Sequence, residues 1–270
     1  MHRSHLSVLA LVSLLAGCPV AGGEDPLPVP DFVGDSDLNL YLFGHFDAED
    51  PVEMQQGVEA LEESLVAVDL AGEQSGRRWD TGSLLTTADY GGATIWDGAD
   101  PLDQIVVSVA GRSSHDVVEH GELIPLADQT PFESNSSAAY NRTLLGDGDA
   151  FVAQTADRLE TMNEVHRQNA ILNVWYDTTK VFRWVELTDG RKALVARAWL
   201  GEAFVGENGN NTLEQFTALE VRIPDTNGTV LYTAIWGALR PSLGDVVLSN
   251  SVANGIDQGW ENTDLFLDAR

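Results

Sequence analysis

Residues 182–199 read FRWVELTDGRKALVARAW, two apolar runs joined by the turn sequence TDGR. Asp-Gly between two apolar runs is a strong signal for a β-hairpin, because glycine tolerates the positive φ that tight hairpin turns require. A two-residue loop at Asp189 and Gly190 pairs Trp184 with Val195. In that register, one face of the hairpin carries an arginine among apolar side chains, namely Phe182, Trp184, Val195, Arg197 and Trp199.

A second turn sequence, TNGT at residues 226–229, predicts another hairpin by the same rule. Counting outward from a two-residue loop pairs Ile223 with Tyr232. A slip of one residue would mix the two faces, so pattern and turn chemistry predict a single register. One face then carries Leu219, Val221, Ile223, Tyr232, Ala234 and Trp236, and the other carries Glu220, Arg222, Thr233 and Ile235.

Further apolar patterns extend the sheet and add a last helix. Residues 159–168 and 171–177 predict two more strands, so that residues 159–239 form a six-stranded antiparallel meander. Apolar residues recur every four positions from Val252 and predict a helix over about residues 243–267. The predicted fold class is therefore α+β, with an antiparallel meander followed by a long C-terminal helix.

This order of elements over residues 159–267 resembles the helix-grip or START-like superfamily. The resemblance implies a curved sheet that wraps the last helix and leaves a cavity between them. Members of the superfamily bind apolar ligands, and some act as cyclases or hydrolases. The half-barrel of lipoprotein-localisation carriers is an alternative, because it is also a curved sheet that grips helices around acyl chains.

The N-terminal half is predicted to hold a strand, helices and a long loop region. Residues 38–46 (LNLYLFGHF) predict a strand, and the apolar spacing of residues 52–68 predicts an amphipathic helix. The remaining segments are predicted as a helix over 101–109, loop over 111–150 with 122–126 extended, and a short helix over 149–158.

The first 18 residues, MHRSHLSVLALVSLLAGC, have the features of an export signal. The apolar run from Leu6 to Ala16 is shorter than the roughly 20 residues that a spanning helix needs. Its end, Leu15-Ala16-Gly17-Cys18, resembles the lipobox of bacterial lipoproteins. The resemblance implies cleavage before Cys18, attachment of lipid such as palmitate to Cys18, and anchoring in the cell envelope. The alternative is an ordinary buried cysteine.

The resulting prediction divides the chain into three parts. Residues 1–17 are a lipoprotein signal peptide, residues 18–37 a flexible tether rich in proline, and residues 38–270 a single α+β domain. Within that domain, residues 158–270 hold the meander and the C-terminal helix. Because Pro19 stands where an Asp would favour the inner membrane, the outer membrane is the preferred location. The alternative for the tether is an ordered N-terminal arm.

The charge of the chain excludes several classes of partner. The sequence holds 42 acidic and 15 basic residues, for a formal charge of −27. A surface this negative repels phosphate backbones, so nucleic-acid binding is excluded. The excess of Asp and the scarcity of Lys are typical of halophilic proteins, and a GC-rich genome is the alternative explanation. A single cysteine also rules out a disulfide framework and a Cys-based zinc site.

The aromatic face of the first hairpin is the candidate ligand site, extended by apolar residues of the second hairpin. Arg197 among aromatic rings could hold a ligand carboxylate or phosphate inside an apolar cavity. The alternatives are that Arg197 stacks on Phe182 or pairs with Glu186. The predicted ligand-binding residues are Phe182, Trp184, Arg197, Trp199, Tyr232 and Trp236.

Metal and cofactor sites are not predicted. His115 and His120 are five residues apart, which does not match the helical spacing of zinc-binding motifs. The acidic groups Asp97, Asp100 and Asp103, and the GDGD run at 146–149, lack the spacing of a calcium loop and are interpreted as solvated turns.

Three functions remain open from the sequence. The leading hypothesis is a lipid-anchored envelope protein that binds a small apolar or amphipathic ligand between the sheet and the last helix. The second is an enzyme of cyclase or hydrolase type in the same cavity, with Arg197 and Glu186 as its polar groups. The third is a structural or partner-binding lipoprotein without a ligand.

Overall fold

The computed structural model describes residues 35–66, 77–79, 84–86, 89, 104–168, 173–207, 209, 211–240 and 245–270. The helices are α1 (Asp35–Gly44), α2 (Pro51–Val66), α3 (Val117–Leu123), α4 (Gly148–Val152) and α5 (Asp245–Asp268). The strands are β1 (Arg77–Trp79), β2 (Ile105–Ser113), β3 (Ser137–Leu144), β4 (Arg158–Gln168), β5 (Asn173–Glu186), β6 (Lys192–Leu200), β7 (Phe204–Val205), β8 (Thr212–Asp225) and β9 (Gly228–Arg240). A short 3-10 helix spans Thr130–Phe132.

The strands form one antiparallel sheet in the order β1-β2-β9-β8-β6-β5-β4-β3, with β7 paired to β8. Helix α5 packs against β2, near one end of that order. Residues of both β2 and β3, which lie toward opposite ends of the order, line a single cavity beside α5, so the sheet curves around this helix. The predicted α+β class, a curved antiparallel sheet with a C-terminal helix, is confirmed.

The two faces of the sheet are covered by different helices. We call the face toward α5 the inner face and the face toward α1 and α2 the outer face. The largest apolar cluster lies on the outer face, where Phe43 and Met54 of the helices meet Trp199 and Trp236 of the sheet. Both faces are therefore buried over the central strands, and β6 and β9 lack the clean alternation of a sheet with one solvated side.

Residues 38–46, predicted as a strand, form most of α1 instead and then a turn. Leu38, Leu42, Phe43 and Phe46 are all buried, and their spacing of four, one and three residues places them on one side of a helix. The apolar residues Leu38, Leu40 and Leu42 also alternate, which imitates a strand. The helix is favoured because its buried stripe packs on the sheet.

The region between α2 and the meander contains more regular structure than predicted. The segment from Ile105 to Val109, predicted as helix, is part of β2 and is buried on both sides. Residues 111–150, predicted as loop, contain α3 and β3, and Glu122 and Leu123 end α3 rather than beginning an extended segment. The predicted helix over 149–158 is shorter, because α4 ends at Val152 and β4 begins at Arg158.

Other elements match their predictions closely. Helix α2 and helix α5 fall within a few residues of the predicted helices. The meander, however, has five long strands and the two-residue β7, because the predicted strand over 171–177 and the start of the first hairpin are one continuous strand, β5.

The predicted register of the first hairpin is wrong by one residue. Glu186 pairs with Lys192, and the turn closes through a bond from the Gly190 amide to the Leu187 carbonyl, 2.9 Å long. Gly190 has a φ of +84°, the conformation of a glycine bulge that adds a third residue to the loop. Trp184 therefore pairs with Leu194, and Phe182 and Trp184 lie on the opposite face from Arg197 and Trp199.

The second hairpin keeps its predicted faces but not its predicted register. Asp225 pairs with Gly228, so the two-residue loop is Thr226-Asn227, one position earlier than predicted at each side. Val221 then pairs with Tyr232 rather than with Ala234. A shift of two in the pairing preserves the side on which each residue points. All six predicted apolar residues lie in the outer-face cluster.

Several predictions concern residues outside the described part of the chain. They include the signal and lipobox up to Cys18, most of the tether, and the acidic group Asp97, Asp100 and Asp103. Within the described ranges, none of the helices combines the length and the apolar character needed to cross a bilayer.

Candidate functional site

A cavity of about 290 Å³ lies between the inner face of the sheet and α5. Its size is at the lower end of the range for small-molecule sites, roughly 300–1,000 Å³. The sheet side includes small residues in the middle of the strands, Ala198, Ala218 and Gly237. The side formed by α5 includes Ser251, Gly255 and Gly259, one on each successive turn. Small side chains on both walls leave the space that larger ones would fill.

One part of the cavity is apolar. Ile105 of β2, Ile235 of β9, and Val252, Ile256 and Trp260 of α5 line it. These α5 residues also pack against Val107 and Val109, which fixes the helix on β2. The close contact depends on Gly111, because a Cβ there would lie 2.7 Å from the Trp260 ring.

Another part of the cavity lining is charged, and we call Arg142, Lys180 and Arg222 the cationic wall. The Lys180 ammonium donates to Glu220 Oε1 at 2.5 Å, and Arg222 Nη1 donates to Glu220 Oε2 at 3.2 Å. Burial alone would raise the pKa of Glu220, but Lys180 and Arg222 lower it to about 2. Glu220 is therefore ionised at neutral pH and is shared by two cations.

Lys180 is in an environment that disfavours its charge. Burial lowers the pKa of Lys180 below its usual value; Glu220 opposes this effect, and the charges of Arg142 and Arg222 add to it. The ammonium also lies 5.2 Å from the centre of the Phe182 ring, a distance suited to a cation–π contact.

Arg142 is held by neutral partners. Its Nε donates to Asn163 Oδ1 and its Nη1 donates to the Ile124 carbonyl, both at 2.8 Å. Its guanidinium carbon lies 5.0 Å from the centre of the Phe182 ring. The Arg142 side chain is thus fixed in the cavity wall without a carboxylate of its own.

His120 of α3 lines the same cavity and is almost fully buried. Its Nε2 and the Nε of Arg222 are buried without a hydrogen-bond partner among the described residues. Burial lowers the pKa of His120 to about 3, and the charges of Arg222 and His115 act in the same direction. His120 is therefore a neutral imidazole at physiological pH.

A third arginine in the cavity lining, Arg167, is compensated by neighbouring side chains. Arg167 donates from Nη2 to Glu133 Oε2 at 2.7 Å, from Nε to the Tyr176 hydroxyl at 3.2 Å, and from Nη1 to Ser134 Oγ at 2.9 Å and to Ser137 Oγ. These contacts connect β4 and β5 to the loop before β3. The arrangement satisfies Arg167 within the protein and holds that loop beside α5.

The structure separates the six predicted ligand residues. Only Phe182 lines the cavity. Trp184 is buried but does not line the cavity, and its indole Nε1 donates to the Phe151 carbonyl at 2.9 Å. The other four belong to the outer face, in the core beneath α1 and α2: Arg197, Trp199, Tyr232 and Trp236. The extra residue in the first hairpin loop places Phe182 and Trp184 on the opposite face from Arg197 and Trp199, which explains this separation.

Arg197 anchors α1 instead of lining the cavity. It is buried, pairs with Asp47, and its Nη1 donates to the Phe43 carbonyl at 3.1 Å. The guanidinium lies about 5 Å from the ring centres of Phe43, Phe46 and Trp199. Glu186 is exposed and ends β5 five residues from the partner of Arg197, about 17 Å along the strand. The two residues therefore do not converge on one site.

Two other residues considered for metal binding, His115 and Asp147, have structural partners. His115 contacts Asp268 at 3.1 Å and Glu119 at 3.4 Å, and Asp147 accepts a bond from the Ala150 amide at the start of α4. The part of the chain that the structure describes contains no cluster of three or more side chains suited to a metal ion.

The cavity residues that the sequence interpretation missed come from strands far apart in the chain. Arg142, Lys180 and Arg222 lie on β3, β5 and β8. One signal was present: Glu220 and Arg222 alternate with apolar residues of β8 and mark the face that meets the cavity.

No family model and no curated protein matches this sequence. Solved structures are similar to it at low identity. A STAR-related lipid transfer protein from Xanthomonas axonopodis is 13% identical, with a TM-score of 0.42, over 63% of this chain and 97% of that chain. A protein from Thermus thermophilus is 10% identical, with a TM-score of 0.40, over 62% of this chain and 97% of that chain. A di-domain ARO/CYC protein of the steffimycin biosynthetic pathway is 12% identical, with a TM-score of 0.39, over 62% of this chain and 51% of that chain.

Proposed function

We propose that this protein binds a small amphipathic ligand between the inner face of its sheet and α5. The observation that carries the proposal is the cavity of about 290 Å³, whose lining combines an apolar part with a charged part. A ligand with an apolar body would cover Ile235, Ile256 and Trp260, and its polar end would meet Lys180 and Arg222. Concave sites that combine apolar walls with a few polar groups are typical of small-molecule binding.

Binding without chemistry is favoured over catalysis. A general acid or base works best when its pKa lies near the operating pH, and His120 is far from that condition with a pKa of about 3. The pair that the sequence suggested for an enzyme, Arg197 and Glu186, does not meet at the cavity.

We further propose that the protein is exported and anchored to the bacterial envelope through lipid on Cys18. The support is the apolar run that ends in Leu15-Ala16-Gly17-Cys18 and the proline-rich segment that follows. The excess of carboxylates would keep the exposed domain hydrated. The outer membrane is the preferred location because Pro19 follows Cys18.

Native mass spectrometry and solvent extraction of the full chain, purified without detergent, would test ligand binding. We expect a co-purifying small molecule in the unmodified chain and its loss in Ala198→Leu, because leucine would fill the cavity floor. Ala138→Leu is the matched control, since Ala138 is exposed on β3. Absence of any bound molecule in the unmodified chain, together with failure to bind added amphiphiles, would contradict the proposal.

Expression in a Gram-negative bacterium with labelled palmitate would test the anchor. We expect label and membrane association in the unmodified chain, and neither in Cys18→Ala. Label that persists in Cys18→Ala would contradict attachment of the lipid at this residue.

A further inference from the structure

The cavity reverses the charge balance of the chain. The whole sequence has nearly three acidic residues for each basic one, 42 against 15. Among the described residues that line the cavity, four are basic and two are acidic: Arg142, Arg167, Lys180 and Arg222 against Glu133 and Glu220. A random sample of this composition would have the opposite sign, so the cavity concentrates positive charge.

Acidic side chains of the described residues compensate only part of this positive charge. Arg167 is compensated by Glu133, 2.7 Å away. Glu220 is shared between Lys180 and Arg222, each of its oxygens bonded to one of them. The cationic wall therefore has three positive side chains for one negative, and charges removed from water are costly unless they are paired.

Hydrogen-bond donors also remain unused on this wall. Among the residues that the structure describes, the Nε of Arg222 is buried without a partner, and the Lys180 ammonium, which has three N–H groups, bonds to one acceptor, Glu220. The neutral His120, whose Nε2 also has no partner, adds a polar atom beside them. The missing element is a negatively charged oxygen acceptor.

We propose that the ligand is an amphiphile with one anionic oxyacid head, a carboxylate or a phosphate, which Lys180 and Arg222 bind while the apolar body lies against α5. This assignment rests on the proposed function, because it specifies the ligand of the same cavity. Charge-assisted bonds to such a head are stronger than bonds between neutral groups, and an arginine side chain can hold two oxygens at once. Arg142, with no carboxylate partner, adds to the positive potential.

Four probes that share a ten-carbon chain would test the assignment by calorimetric titration. They are decanoate, decyl phosphate, decanol and decyltrimethylammonium. The full chain would be produced without membranes or detergent, so that no lipid occupies the cavity. We expect at least one of the two anions to bind about 10-fold or more tightly than decanol, and decyltrimethylammonium to bind most weakly. The anion that binds more tightly identifies the head.

The Arg222→Gln variant would locate the head. It should weaken anion binding about 10-fold and leave decanol binding within about twofold. Arg240→Gln is the matched control, because Arg240 pairs with Glu214 at the exposed end of β9 and does not line the cavity. Lys180→Met provides a second variant if Arg222→Gln does not fold, which circular dichroism would report.

The outcomes separate the two proposals. Equal binding of decanol and both anions, or an anion preference unchanged in Arg222→Gln and Lys180→Met, would overturn the anionic head and leave a binding cavity. Tighter binding of the cationic probe would also overturn it. Failure of all four probes to bind would contradict the proposed function itself.

Discussion

The two faces of the sheet differ in how they are filled. The outer face is closed by α1 and α2 and holds the largest apolar cluster, with fully buried Phe43, Tyr232 and Trp236. The inner face is covered by α5, which leaves a cavity with small residues at its centre and charges on one wall. The same strands supply both faces, so alternate residues of one segment serve different purposes.

The comparison shows where stability and binding reside. Arg197 and Lys180 are both buried cations, yet Arg197 has Asp47 and three aromatic rings, whereas Lys180 shares one carboxylate with Arg222. On the outer face, the apolar side chains are packed and the buried cation is paired, as in a protein core. The inner face retains a cavity and an excess of positive charge. Both features lower the stability of the fold, and both provide space or contacts for a ligand.

The largest effect is expected from Trp236→Ala on the outer face. Trp236 is fully buried and contacts Phe43 edge-on, with ring centres 5.8 Å apart. Loss of this ring should lower the free energy of unfolding by about 4 kcal/mol in urea denaturation. Trp175→Ala is the control, because Trp175 is 40% exposed, and it should cost below about 1 kcal/mol. Similar losses of unfolding free energy in both variants would contradict the larger contribution of the outer-face core to stability.

Arg197→Met should have the next largest effect. Methionine keeps much of the apolar volume but leaves the Phe43 carbonyl and Asp47 without the guanidinium. We expect a loss of about 3 kcal/mol in the free energy of unfolding, with no change in ligand binding. A large change in ligand affinity without loss of stability would instead place Arg197 at the binding site.

The same substitution on the two faces would sharpen the comparison. Ala234 faces the outer core and Ala218 faces the cavity, and both are buried. Ala234→Leu should lower the free energy of unfolding by about 2 kcal/mol through overpacking, whereas Ala218→Leu should change it by less than about 1 kcal/mol. Thermal denaturation of the two variants measures the difference, and equal losses would show that the cavity is not available space.

The smallest effect concerns pH. Because the pKa of His120 is lowered to about 3 in the folded state, the unfolded chain takes up the proton first as the pH falls below about 6.5. The contribution of His120 to the free energy of unfolding is complete above about pH 6.5 and declines as the pH falls from about 6.5 toward about 3. At pH 5.5 the decline should be about 1 kcal/mol, and His120→Gln should lack it. Identical pH profiles of the two proteins, from urea denaturation, would refute the lowered pKa.

The sequence was sufficient for the architecture but not for the register. Apolar runs and turn residues correctly predicted a meander and a last helix. The sequence TDGR does not determine whether the first hairpin loop has two or three residues, because Asp-Gly suits both a two-residue turn and a three-residue turn with a glycine bulge. Both faces of β6 are buried, so the apolar pattern offered no correction.

The cavity was harder to predict than the fold for a related reason. Its charged wall joins Arg142, Lys180 and Arg222, which are 38 to 80 residues apart in sequence and meet only because the sheet curves. Of the six predicted residues, Phe182 is the one that lines the cavity. Arg197 and Trp199 were assigned to its face by a count that was one residue in error.

Polar side-chain contacts fasten the last two turns of α5. Ser113 donates to Asp264 at 2.6 Å, His115 contacts Asp268 at 3.1 Å, and the Asn262 amide donates to the Glu133 carbonyl at 2.6 Å. These contacts tie the end of the helix to β2, to the turn after it and to the loop before β3, while Val252, Ile256 and Trp260 pack against β2. If a ligand binds beside α5 as proposed, its exchange requires only a local opening of this helix, which costs less than global unfolding. Residence time and thermal stability would therefore respond to different contacts.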